Sequence, residues 1–214
     1  MKSKIQSLKN GNKKTVIKKL FLTAAVAVSS VTFAQQFGAK AGMNVSTISD
    51  EGFDDTKSKV GYYAGVFMNV PVSESFSIQP EVLYNNLGSK VSSTVLGTTY
   101  SSTLNLDYIA VPVMFQYKAT PQFYLEAGPE FGFLVNAKQK FDNGSSSIVT
   151  ELDKEDFNSF NMGVGLGLGF DISKNVGLNA RYVAGFSDIT KESGPAADAK
   201  NKNNAFQVGL NIKF

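Results

Sequence analysis

From Ala205 to the end the chain reads A-F-Q-V-G-L-N-I-K-F, so Phe206, Val208, Leu210, Ile212 and Phe214 fall on one side and Gln207, Gly209, Asn211 and Lys213 on the other. Successive side chains of a strand point to opposite faces, and this period of two predicts a strand with one oily face. The same pattern recurs at 37–46, 59–70, 76–85, 103–118, 123–136, 160–171 and 176–186, which makes eight predicted strands. The fourth is less regular, and its irregularity near Asp107 predicts a bulge. Three connections are short, at 71–75, 119–122 and 173–175. Four are long and polar, at 49–58, 87–102, 142–156 and 191–203. Strict alternation of short and long places all tight turns at one end of the strands. These features together predict an all-β fold, an eight-stranded antiparallel up-and-down transmembrane β-barrel with short periplasmic turns and longer external loops. Closure removes the free edges that lipid could not hydrogen-bond.

Alternation alone leaves open which face meets water. A soluble ligand-binding barrel would turn the apolar face inward. Three features favour the reverse. The polar faces are rich in Gly and poor in charge, as at Gly163, Gly165, Gly167 and Gly169. The apolar faces run about five to seven positions per strand, and a tilted spanning strand of about 9–11 residues needs about five on one face. Seven of the eight apolar faces carry no charge, which fits a cost of about 2–4 kcal/mol for Lys or Arg at the lipid midplane.

The chain begins with a Lys-rich stretch, then Leu20 to Phe33 is apolar, and Thr32-Phe33-Ala34 precedes Gln35 with small residues at the positions a signal peptidase reads. This layout predicts a signal peptide over 1–34, cleaved near Ala34–Gln35, and a barrel domain over 35–214. Fourteen apolar residues fall short of the ~20 needed for a spanning helix.

Composition then narrows the chemistry. The chain holds 21 Lys and Arg, 18 Asp and Glu, no His and no Cys. Seven of the lysines precede residue 20, so residues 35–214 are net acidic and no nucleic-acid partner is expected. Without His or Cys there is no thiol nucleophile, His-based triad or ordinary zinc site. No catalytic residue, metal site or cofactor is expected. The inward faces collect Lys40, Glu81, Lys118, Glu126, Glu130, Asp171, Arg181 and Lys213, four basic and four acidic groups. An eight-stranded interior is just wide enough for side chains, so these predict a charge-balanced filled lumen. Arg181, the only arginine, is expected to bridge carboxylates such as Glu126 and Glu130. The run Gly163 to Gly169 lacks the helix that a phosphate loop needs and reads as room for larger lumen side chains. The loop acids Asp50, Glu51, Asp54, Asp55, Glu151, Asp153, Glu155 and Asp156 lack EF-hand spacing and read as solvated.

Gly38-x-Lys40-x-Gly42, Tyr108-Ile109-Ala110-Val111-Pro112, Gly128-Pro129 and the terminal Phe214, with the leader ending at Ala34, together resemble the small outer-membrane β-barrel proteins of Bacteroidetes. These are the porin-family or PorT-like proteins, similar in architecture to OmpX-type barrels. That family commonly carries an acidic residue where this chain has Ala110. The resemblance implies an outer-membrane location in a Gram-negative cell, outer-membrane lipid as surroundings, and Phe214 as the C-terminal signal read by the outer-membrane assembly machinery. Barrel enzymes of this membrane rely on a His that this chain lacks. The leading functional expectation is a structural or interaction role through the external loops, with a protein partner there. A transport role, as a narrow pore or secretion-machine accessory, and a soluble ligand-binding barrel stand as alternatives.

Overall fold

The computed structural model describes residues 35–49, 57–95, 98–189 and 201–214. The expected signal peptide, the acids Asp50, Glu51, Asp54 and Asp55, and most of the 191–203 connection lie outside the described residues. The barrel unit, Gln36–Phe214, is built from β1 (Gln36–Ser49), β2 (Lys57–Pro71), β3 (Phe76–Val95), β4 (Thr98–Lys118), β5 (Phe123–Asp142), β6 (Ser147–Glu151), β7 (Phe160–Asp171), β8 (Val176–Asp188) and β9 (Lys202–Lys213). All neighbouring pairs are antiparallel, in the order β4-β3-β2-β1-β9-β8-β7-β5, and β4 also pairs with β5, so eight strands close a ring. β6 stands outside the ring and pairs only with β5.

The ring turns its apolar faces outward. Leu166, Val208, Leu210 and Phe206 are exposed on the outer wall, while Lys40, Asn44, Glu81, Gln207 and Asn211 are buried inside. This is the inverse of a water-soluble protein, and it fits a wall that meets hydrocarbon.

The three tight turns, residues 72–75, 119–122 and 172–175, share one device. Ser73, Thr120 and Ser173 each accept, through the side-chain hydroxyl, a hydrogen bond from the backbone N–H three residues on, at 3.0–3.1 Å. A Ser or Thr hydroxyl closing its own turn explains how four residues suffice.

Two expected loops are strands instead. The 87–102 connection continues as β3 and β4, paired residue by residue from Leu87↔Leu106 to Val95↔Thr98. The 142–156 connection contains β6 and a short 3-10 turn, Lys154–Asp156. Their many Ser residues suggest loop, but Val91, Thr94, Val95, Thr98, Ile148 and Val149 are β-branched and favour a pleated surface once a neighbouring strand is present. The expected bulge is seen as a register shift between Asp107 and Tyr108.

One stretch of wall is less completely paired than the rest. In β2–β3, β3–β4 and β4–β5 the pairing lapses for two residues beside Pro80, Pro112 and Pro129 respectively, with the same register on either side of each gap. Proline has no N–H to give to a ladder. The β5–β7 ladder, by contrast, is unbroken from Phe123 to Phe133.

Candidate functional site: the filled lumen and the external sheet

The lumen is packed in layers. At the short-turn end Lys213 and Asp171 pair at 2.6 Å. Above them the amide of Asn69 donates to Ser77 Oγ, Gln79 Oε1 and Gln116 Oε1. Gln79 and Gln116 pass the chain on by donating to Glu81 at 2.8 Å and Glu126 at 3.0 Å.

At mid-height lies the charge cluster. Arg181 places Nη1 and Nη2 on the two oxygens of Glu81 at 2.9 and 2.8 Å, and its Nε on Glu126 Oε1 at 2.8 Å. Lys40 Nζ donates to Glu81 Oε1 at 2.8 Å. Arg181 and Glu81 are each 1 % exposed. A planar fork with five donors suits two carboxylates at once in a way an ammonium does not. The neighbouring glycines leave the room. A Cβ on Gly167 would lie 2.9 Å from Glu126 Oε1, and one on Gly169 would collide with the ring of Tyr124. Strand β7 is therefore smooth on its inner face because β5 and β8 fill the space opposite it.

Two expectations for this cluster are corrected. Arg181 bridges Glu126 and Glu81, not Glu126 and Glu130, because Glu81 enters from β3 across the lumen, a pairing invisible along the sequence. Lys118 keeps inward parity but is the last residue of β4 and is exposed at the rim, beyond the packed interior and outside the cluster. Glu130 is buried, and its Oε2 makes no hydrogen bond within the protein. It faces a cavity of about 20 Å³, room for about one water-sized molecule, which Ala110, Gly132 and Gly163 leave open. Since Glu130 is in none of the ion pairs among the described residues, we expect Glu130→Gln to hold or raise the unfolding temperature. Glu81→Gln, which leaves Lys40 and Arg181 short of a charge, should lower it, with a loss of about 3–5 kcal/mol of stability. Thermal unfolding of both variants, followed by the loss of the folded band on an unboiled gel, checks the contrast; equal losses would refute it.

Above the cavity the lumen becomes apolar. Leu87, Leu106, Tyr108, Ala137, Phe157, Ile189 and Ala205 form one buried cluster, with Ile48, Leu104, Leu134 and Leu152 packed against it. Phe157 comes from the segment after β6, which is tied down where Asn158 N donates to Ile189 O at 2.8 Å. Sequence periodicity did not mark this plug, because Leu87, Ala137, Phe157 and Ile189 lie beyond the predicted strands and Leu106, Tyr108 and Ala205 come from two different ones.

On the outer wall Asn86, Asp107 and Asn136 stand side by side on β3, β4 and β5. Asn86 and Asn136 donate to the two oxygens of Asp107. This polar row ends the apolar belt. Below it, Tyr62 and Tyr84 pack at 5.9 Å, and at the other end of the wall Phe76 and Tyr117 pack at 5.0 Å. Phe214 lies at that lower end, 77 % exposed, with its N–H on Phe37 O at 2.8 Å. Past the polar row β3, β4 and β5 continue with β6 as a four-stranded external sheet. On its outer face Lys138 meets Glu151 at 3.4 Å and Lys140 meets Asp142 at 3.7 Å.

Among proteins of curated function, none matches the chain in sequence. Solved structures do. Ail, the attachment invasion locus protein of Yersinia pestis, is 15% identical with a TM-score of 0.50, over 85% of this chain and 100% of that one. The Neisserial surface protein NspA is 12% identical with a TM-score of 0.47, over 85% and 99%. OprG of Pseudomonas aeruginosa is 14% identical with a TM-score of 0.40, over 85% and 96%. The likeness to Ail concerns the fold alone, a ring of antiparallel up-and-down strands. Residues 33–191 match the family model described as outer membrane protein beta-barrel domain. With an outward oily belt, a polar packed lumen and this match over most of its length, the chain belongs to the outer membrane protein beta-barrel domain family and is a small barrel of the Gram-negative outer membrane.

Proposed function

We propose that this protein is a non-conducting, non-enzymatic barrel that holds a stiff β-sheet outside the cell for contact with a partner. The observation that carries this reading is the length of β3, β4 and β5, at 20, 21 and 20 residues. About 9–11 residues cross a bilayer. The surplus of roughly nine residues extends each strand roughly 30 Å beyond the belt. Paired strands cost more to order than loose loops, and a sheet of this size outside the membrane has no part in crossing it. The filled lumen supports the same reading, since the charge cluster and the apolar plug occupy successive levels of the interior.

Within this reading residues 1–34 are a signal peptide removed near Ala34–Gln35, and the assembly machinery reads Phe214. The charged groups Lys40, Glu81, Glu126 and Arg181, with Asp171 and Lys213 at the rim, hold the barrel closed and take no part in catalysis. The sequence resemblance to PorT-like, porin-family proteins of Bacteroidetes supports an envelope role and leaves the partner to be identified. The test is planar-bilayer recording of the purified barrel. We expect no stable conducting state. Steps of nanosiemens size would overturn the reading in favour of transport.

A further inference from the structure

The inner face of the external sheet differs from its outer face. Register aligns Val91 on β3, Ser102 on β4, Phe141 on β5 and Ile148 on β6 in one row. One step further out Ser93 pairs with Tyr100, and Asn143 and Ser146 continue the row at the β5–β6 turn, where Asn143 N donates to Ser146 O at 3.1 Å. The two rows line an open cleft of about 320 Å³, within the size range of small-ligand sites. Tyr100, Phe141 and Ile148 are exposed there.

We propose that this cleft binds a short neutral oligosaccharide. The inference rests on the reading of the external sheet as a contact surface and names the partner's chemistry. A pyranose presents an apolar C–H face and a rim of hydroxyls. The cleft offers the matching pattern, with two aromatic rings flanked by the hydroxyls of Ser93, Ser102 and Ser146. Tyr and Phe provide wide contact for the ordering of two side-chain torsions each. Asp142 borders the cleft, but its carboxylate lies on the outer face, where it accepts from Gly144 N at 2.9 Å and lies 3.7 Å from Lys140. Among the described residues no Lys or Arg lines the cleft, so a strongly anionic ligand finds no cation there. An extended peptide would choose different atoms. It would add along the strand edges, at Val91–Val95 of β3 beyond the end of its pairing with β2, or at Ser147–Glu151 of β6. The face offers side chains only, because its backbone groups are used in the ladders.

The experiment places the full barrel in lipid nanodiscs free of glycoside detergent. Binding is measured to linear hexasaccharides of glucose, mannose, galactose and N-acetylglucosamine, and to sulfated hexasaccharides. Tyr100→Ala and Phe141→Ala are compared with the parent after the unboiled-gel shift shows each variant folded. At least one neutral series should bind, and each variant should weaken it roughly tenfold. Ser92→Ala, on the outer face, should leave it unchanged. Binding of sulfated sugars alone, binding that both variants retain, or no binding at all overturns the proposal. A non-conducting barrel that binds none of these sugars keeps the display reading and removes this one. A conducting barrel removes the display reading whatever the sugars do.

Discussion

Arg181→Ala is expected to lose the folded barrel, with a drop in stability of about 3–5 kcal/mol. The guanidinium holds both oxygens of Glu81 and one of Glu126. Truncation leaves Lys40 to face Glu81 alone, and Glu126 keeps the neutral amide of Gln116 as its donor. An uncompensated carboxylate in a packed interior is more costly than the loss of any one contact. Arg181→Lys should recover part of the loss, because the charge returns without the fork. Migration with and without boiling reads the outcome. A folded band of parental heat resistance in the alanine variant would show that the cluster does not hold the barrel together.

A comparable loss is expected at a position whose side chain is mostly exposed. Leu166 is 60 % exposed on β7, paired with Ala127 on one side and Tyr182 on the other, well inside the apolar belt. Leu166→Arg should impair assembly and cost about 2–4 kcal/mol, since the guanidinium must leave water for hydrocarbon. Val149 on β6 is 58 % exposed as well, but it stands beyond the polar row of Asn86, Asp107 and Asn136. Val149→Arg should change stability by no more than about 0.5 kcal/mol, as at an ordinary wet surface. The two sites match in exposure and differ in the solvent assigned to them. Refolding yields into lipid vesicles measure both, and equal effects would defeat the assignment of lipid to the belt.

The strands that lie within the belt were readable one by one. Phe206 to Phe214 and Phe160 to Phe170 alternate without exception because each has lipid on one side and a packed lumen on the other. The external parts of β3 and β4 were not readable. Both of their faces meet water, so no contrast of solvents imprints a period of two, and Ser-rich stretches such as Val91–Val95 look like loop. The partners of Arg181 were hidden for a different reason. Glu126, Glu130 and Glu81 all carry inward parity, and parity says nothing of height or of which wall faces which.

By itself, then, the order of residues determined the secondary structure of the spanning wall, its inside and outside, and the list of groups available to fill it. These follow from local alternation and from the solvent on each face. Only the closed ring decided that Arg181 joins Glu81 to Glu126, that Lys118 falls at the rim, that Glu130 faces a small cavity, and that Phe157 and Ile189 plug the external end. These depend on strand stagger and ring closure, which bring together side chains as far apart in the chain as Glu81 and Arg181.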